Sequence, residues 1–194
     1  FAMLASACPQ EAMDLGAVAH LAAIKARHPF MHFFDGFRTS HEVQKIDALE
    51  YEDLRPLVDM DQVNAFRKHS LNPEHPHVRG TTASSETFFQ GREAGNSHYE
   101  AIPDIVQHYM DEINKLTGRN YKLYDYYGAP DATEVAVAMG SGTETMRETV
   151  DFLNSQGRKV GMISVHLFRP FSAKHFLSVL PETVTKVAVL DRTK

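Results

Sequence analysis

The stretch EVAVAMGSGTETMRETVDFLNSQGRKVGMISV, residues 134–165, decides the fold class. Glu134 to Met139 reads as a short buried strand, Gly140-Ser-Gly142 turns the chain, and Thr143 to Ser155 carries a helical pattern. Lys159 to Val165 reads as a second strand. Beyond it, Ser172 to Leu180 predicts a helix and Val184 to Leu190 a third strand. Strands alternating with helices at this spacing predict βαβ crossovers and a parallel sheet. The fold class is α/β.

Working back toward the start, Gln10 to Ala26 places apolar residues on most sides of a 3.6-residue repeat, as a well-buried helix does, with Ser6 or Pro9 near its start. His28-Pro29 ends it, because a residue before proline resists the α region. Phe30 to Phe34 is an aromatic strand, and Asp35-Gly36 is a turn signal. Thr39-Ser-His-Glu42 has the spacing of a capping box, in which threonine and glutamate each satisfy an orphan backbone N–H. Arg38 and His41 are not explained by capping. They either project into a cleft at the strand's carboxyl end or lie in solvent.

Asp47 to His69 is helical twice over, interrupted at Pro56. Residues 71–97 form a long polar segment without sustained period, expected to be a functional loop or an arm lying on another surface. Its Glu74, His75 and His77 fit no common metal-ligand spacing. Tyr99 to Leu116 is an amphipathic helix with Ile102, Ile105, Val106, Tyr109, Met110 and Ile113 on one face, stopped by Thr117-Gly118. Asn120 to Tyr127 is a strand or an extended connector. Gly128-Ala-Pro-Asp131 then breaks the chain, and a domain boundary is expected there, giving segments 1–127 and 128–194.

Composition sets the outer limits. The 194 residues are 43% hydrophobic and 23% charged, which is globular rather than disordered. A net charge of -5 with scattered Lys and Arg argues against nucleic-acid binding. No apolar run approaches the ~20 residues of a membrane span. The single Cys8 excludes an internal disulfide framework, and with it any Cys-ligated iron–sulfur cluster within the segment. The chain begins at Phe1 without Met and stops directly after an apolar strand, so it reads as a piece of a longer polypeptide.

The glycine turn invites a dinucleotide reading, but position 145 is Thr145 where the fingerprint has its third glycine, and the second strand leads into His166 rather than an acid. Ser141-Gly-Thr-Glu144 fits another capping box, and an anion at the helix N-terminus is the other reading. There is no Walker A, HExxH or GxSxG pattern. Residue chemistry alone gives an α/β segment with no self-contained active site.

Seven blocks together carry a resemblance: PFMHFFDGFRTSHEVQKI (29–46), NPEHPHVRGT (72–81), FFQGREA (88–94), YYGAPDA (126–132), VAMGSGTET (137–145), LFRPFS (167–172) and VAVLDRTK (187–194). In unbroken order they resemble the pyruvate:ferredoxin (flavodoxin) oxidoreductases. The resemblance implies that residues 1–127 are the rear of a thiamine-diphosphate pyrimidine-binding domain, and residues 128–194 the front of a domain similar to the transketolase C-terminal domain. It implies a parent enzyme that decarboxylates pyruvate oxidatively to acetyl-CoA. Thiamine diphosphate with Mg and 4Fe–4S clusters would serve as its cofactors, and electrons would pass to ferredoxin or flavodoxin.

The family's catalytic, cofactor-binding and metal-ligating residues fall outside the segment, so none is carried over here. The segment is expected to be scaffold and interface, inactive alone, in a homodimer with neighbouring domains of the same polypeptide. Asp35, Arg38, His41 and Glu42 form the candidate interface loop, and the 71–97 arm is expected to pack on a neighbouring domain or the second subunit. Cytoplasm and an anaerobic-type organelle are the compartments the family suggests, and the sequence does not separate them. The alternatives are the same enzyme with NADP as final acceptor, a non-catalytic interaction module using the arm, and an NAD-dependent dehydrogenase binding through Gly140 to Glu144.

Overall fold

The computed structural model describes residues 1–78, 80 and 82–191. Of the blocks above, Arg79, Thr81 and residues 192–194 lie outside the described residues. The elements run β1 (Ala2–Ser6), α1 (Pro9–Ala26), β2 (Phe30–Phe34), a 3-10 turn (Thr39–His41), α2 (Tyr51–Leu54), a second 3-10 turn (Arg55–Leu57), α3 (Met60–Lys68), α4 (Ser85–Ala94), α5 (Asn96–Glu100) and α6 (Ile102–Thr117). They continue as β3 (Tyr124–Gly128), β4 (Glu134–Ala138), α7 (Gly142–Ser155), β5 (Val160–Val165), β6 (Leu167–Arg169), α8 (Ala173–Val179) and β7 (Lys186–Val189).

Two sheets form, in the orders β2-β1-β6 and β3-β5-β4-β7. The strands joined through helices are parallel, β1 with β2 and β4 with both β5 and β7. Two strands run the other way, β6 against β1 and β3 against β5. Only one residue, His166, separates β5 from β6, although the two strands belong to different sheets.

The expected division at Gly128 does not coincide with sheet membership. Tyr124 to Gly128, on its amino side, pairs with Val165 to Gly161 in the second sheet. Leu167 and Arg169, far on its carboxyl side, pair with Leu4 and Met3 in the first. One hydrophobic core runs through both, from Leu4, Leu15 and Val18 to Met110, Tyr121, Val135 and Ile163. The helix α6 turns its apolar stripe into this core: Ile102, Val106, Tyr109, Met110 and Ile113 are buried, and Ile105 is half-buried. Gly118, at φ 72, caps its carboxyl end with a bond to the Asn114 carbonyl.

Neither predicted capping box forms. Thr39 opens a 3-10 turn, and its hydroxyl donates to the Ala7 carbonyl at 3.0 Å, while Glu42 is extended and exposed. Ser141 has helical dihedrals, with no side-chain cap bond, and Thr143 Oγ1 bonds back to the Gly140 carbonyl at 2.8 Å. At both places a threonine hydroxyl, of Thr39 and of Thr143, bonds a carbonyl, and Ser141 Oγ makes no cap bond. The polar arm also holds more structure than its lack of period suggests. Ser84 caps the ten-residue α4, whose residues are all exposed, so local capping rather than a buried face marks this helix.

Candidate functional site

The carboxyl ends of β1, β2, β4 and β5 lead into one polar seam. In α/β sheets this edge is where ligands collect, because strand ends and helix N-termini leave backbone groups there to be satisfied. Asp35, directly after β2, accepts a hydrogen bond on its carboxylate from the backbone N–H of Ser141 at the start of α7. Gly140 has φ +79, and a Cβ on it would lie 2.5 Å from Asp35 Oδ2. Glycine is needed twice over here, for the dihedral and for the space. The anion position at the head of α7 is therefore filled by a carboxylate of the chain itself. A nucleotide phosphate at Gly140 to Glu144 would meet that negative charge, which removes the dinucleotide reading.

The other loop residues divide. His41 stacks on Phe37 with centroids 5.9 Å apart, and its Nδ1 lies 2.8 Å from Ser40 Oγ. The side chains of Arg38 and Glu42 are exposed and have no hydrogen-bond partner among the described residues. Of the four residues expected at an interface, the structure ties Asp35 to the second sheet's helix and leaves the other three on the surface.

His166 carries the seam. It is the one residue between β5 and β6, where the chain leaves one sheet for the other, and it is 2% exposed. Its N–H donates to the Leu123 carbonyl at 3.0 Å, its own carbonyl accepts from Ala5 at 2.8 Å, and its Nδ1 lies 2.7 Å from the Lys122 carbonyl. Nε2 sits 3.5 Å from Glu11 Oε2, a distance of charge contact rather than of a short hydrogen bond. Burial acts to lower the imidazole pKa, but the Glu11 carboxylate and the Lys122 carbonyl outweigh it and leave it raised. Glu11 is opposed by burial too, yet His166, the Ala7 N–H and Arg147 hold it low. His166 and Glu11 therefore support each other's charged forms. Sequence reading noted His166 only as a non-acidic strand end; nothing local in it signals a seam between sheets.

Asp14, on α1 and 0% exposed, accepts from Tyr121 Oη at 2.7 Å and from Gln10, and lies 3.4 Å from Arg119 Nε. Burial, with Asp14 second, pushes the Tyr121 phenol upward, so it remains a donor. Arg147 pairs with Asp125 at 3.0 Å over the Tyr127 ring. Cys8 is raised, mainly by burial, and is a thiol rather than a thiolate. Ser6 Oγ and His32 Nε2 are 2.7 Å apart, a pairing the sequence did not suggest. Burial lowers the His32 pKa, and no carboxylate among the described residues bonds its other nitrogen to orient it as a base.

No three His, Cys, Asp or Glu side chains among the described residues come together as a metal site, Glu74, His75 and His77 included. A single thiol cannot ligate a 4Fe–4S cluster, and the α7 N-terminus is committed to Asp35 rather than to a diphosphate. No helix among the described residues is long and apolar enough to cross a membrane.

Comparison with known proteins bears on what this seam belongs to. Residues 1–111 match the family model described as pyruvate flavodoxin/ferredoxin oxidoreductase, thiamine diphosphate-binding, and residues 132–194 match pyruvate:ferredoxin oxidoreductase core domain II. The chain is 62% identical over 194 residues to a pyruvate:ferredoxin oxidoreductase of Moorella thermoacetica, covering all of this chain and 17% of that protein. It is 58% identical over 193 residues to a pyruvate-flavodoxin oxidoreductase of Enterobacter agglomerans, covering 16% of it. It is 48% identical to a mitochondrial NADP(+) pyruvate dehydrogenase of Euglena gracilis, covering 11%. In three dimensions it is similar to a 2-oxoglutarate:ferredoxin oxidoreductase of Magnetococcus marinus, with a TM-score of 0.53 at 14% identity, covering 97% of this chain and 34% of that one. That last likeness speaks to the fold alone.

Proposed function

The chain belongs to the pyruvate flavodoxin/ferredoxin oxidoreductase family, and from that premise we propose that it is the scaffold around a domain junction in an enzyme that oxidatively decarboxylates pyruvate to acetyl-CoA. Thiamine diphosphate with Mg and iron–sulfur clusters serve this reaction from other parts of the polypeptide, and ferredoxin or flavodoxin takes the electrons. The observation that carries the reading is 62% identity along every residue of the chain with a protein named for that reaction.

In this reading the segment contributes rigidity. The strand exchange between sheets, the His166 pivot and the Asp35 cap fix two sheets as one body, which holds flanking catalytic domains at a set spacing. The loop of Asp35, Arg38, His41 and Glu42 faces a neighbouring domain, and α4 with its exposed Phe88 and Phe89 packs on another domain or the second copy of a homodimer. A domain division near Gly128 remains our proposal for the ancestry of the two halves, with β3 assigned to the second by its pairing.

The test is anaerobic expression of the full-length protein and assay of ferredoxin and flavodoxin reduction. Reduction should require pyruvate, coenzyme A and thiamine diphosphate together; reduction that proceeds equally without thiamine diphosphate would rule the reading out. NADP as final acceptor is a second reading, favoured by the Euglena gracilis relative, and NADPH formation in the same assay distinguishes it.

A further inference from the structure

At the opposite edge of the first sheet, beside the starts of β1 and β2, a cleft of about 670 Å³ opens between the end of α1, the α4–α5 corner and the end of β6. Its lining includes Lys25, Arg27, His28, Arg92, Tyr99 and Arg169, and contains no acidic side chain. On a chain of net charge -5 that is a local reversal of sign. Lys25 is neutralised by Asp59 at 2.7 Å, which leaves three guanidinium groups. Arg169 is held by the Tyr99 hydroxyl at 2.8 Å and lies over the Phe1 ring at 5.0 Å. Arg27 Nη2 lies 3.0 Å from His69 Nδ1. The Arg92 side chain has no partner among the described residues. Neither does His28 Nε2, although it is shielded from solvent and its ring packs on Tyr99 at 5.4 Å between centroids.

Some of this positive charge has an ordinary use. Lys25 and Arg27 sit at the carboxyl end of α1, where cations offset the helix dipole. Arg92, in the last turn of α4, has the same use there, while Arg169 comes from the end of β6 and has no such reason to be at the cleft. Arg27 itself ends α1 at φ 48, in the left-handed region where glycine is usual, and so holds a long cationic side chain at a position that costs backbone strain.

We propose that this cleft binds a phosphate-bearing small molecule, gripped by Arg27, Arg92 and Arg169 with His28 beneath. Guanidinium groups present planar N–H forks that match phosphate oxygens, and three of them without a competing carboxylate leave a site whose charge only an anion balances. The volume suits a small organic phosphate, larger than a bare ion. Burial first, and then the positive charges of the chain's terminal amino group, Arg92 and Arg169, depress the His28 pKa, and a bound anion reverses the second effect. Binding therefore tightens as pH falls. Its location is at the edge opposite the carboxyl ends of β1 and β2, and it does not depend on the reaction assigned above.

The experiment is amide hydrogen exchange on the full-length protein, saturated with thiamine diphosphate and coenzyme A so that their sites are filled, then titrated with inorganic pyrophosphate. Exchange should slow at residues 25–28 and 92–99, and Arg92→Ala, a surface change that leaves the fold intact, should weaken that protection about tenfold or more. Unchanged exchange at both segments overturns the proposal, as does equal protection in wild type and Arg92→Ala. Protection by an oligoglutamate peptide but not by pyrophosphate also overturns it, in favour of an acidic protein partner.

Discussion

Asp35 and Ser141 stand 106 residues apart in the chain, and the carboxylate of one caps the backbone N–H of the other. The bond joins the end of β2 in one sheet to the head of α7 on the other, so a helix cap here doubles as a tie between sheets. Gly140 is the residue that lets the carboxylate approach.

Removing that cap should cost about 0.5–2 kcal/mol, the range for N-cap losses, so Asp35→Ala lowers stability in urea denaturation by that amount. Gly140→Ala should cost at least as much, since its Cβ meets Asp35 Oδ2 and its φ of +79 disfavours a side chain. In the double variant the clash disappears while the strained dihedral stays, so the two costs sum to more than the double variant shows. Strict additivity would refute the contact.

The Glu11–His166 pair gives stability a defined pH window. His166 is raised above its ordinary 6.5, so its contribution is complete below about 6.5 and is lost as pH rises through the folded-state value above that. Glu11 is lowered below its ordinary 4.5, so its contribution is complete above 4.5 and is lost as pH falls through the folded-state value below that. The pair is strongest between the two ordinary values. Glu11→Gln should flatten the decline in stability above pH 6.5; an unaltered profile measured by denaturation across pH 5–9 would show that another group titrates.

Tyr121→Phe removes the 2.7 Å bond to fully buried Asp14 and leaves that carboxylate short of a donor. The expected loss is about 1–3 kcal/mol, the cost of an unmade buried hydrogen bond. Asp14→Asn in the same background should cost less than it does alone, because the two side chains share one bond. A denaturation series of the three variants reads this directly.

Phe88 and Phe89 on α4 are 61% and 65% exposed, two adjacent aromatics with little to cover them in this chain. Replacing both by Ser should leave the thermal stability of this segment nearly unchanged while weakening assembly of the full-length protein, measured by sedimentation or by domain-level exchange. Unaltered assembly would remove α4 from the interface.

Much of the fold was legible from periodicity. The strands at 30–34, 134–138 and 160–165 and the helices around them lie where alternation and 3.6-residue repeats put them, because those patterns report a buried face that each element carries locally. The helix within the polar arm was missed since it buries nothing and so shows no period. The capping boxes misled for a related reason. The motif at Thr39 and at Ser141 specifies possible donors and acceptors nearby, while the acceptors chosen, Ala7 and Asp35, came from elsewhere in the fold. His166 and Asp14 were not legible as a site at all, because a residue's polarity says nothing of the charges that distant segments bring to it.

The sequence by itself determined the α/β class, the order of most elements and the family, since these rest on local pattern and on long stretches of identity. Only the tertiary structure decided that β3 and β6 cross the apparent domain boundary, that His166 is the hinge between sheets, and that Asp35 fills the anion position of α7. Each of those depends on partners more than 30 residues away. Pairing, capping and charge compensation are settled by proximity in space, which burial of the shared core imposes and which no local window of residues encodes.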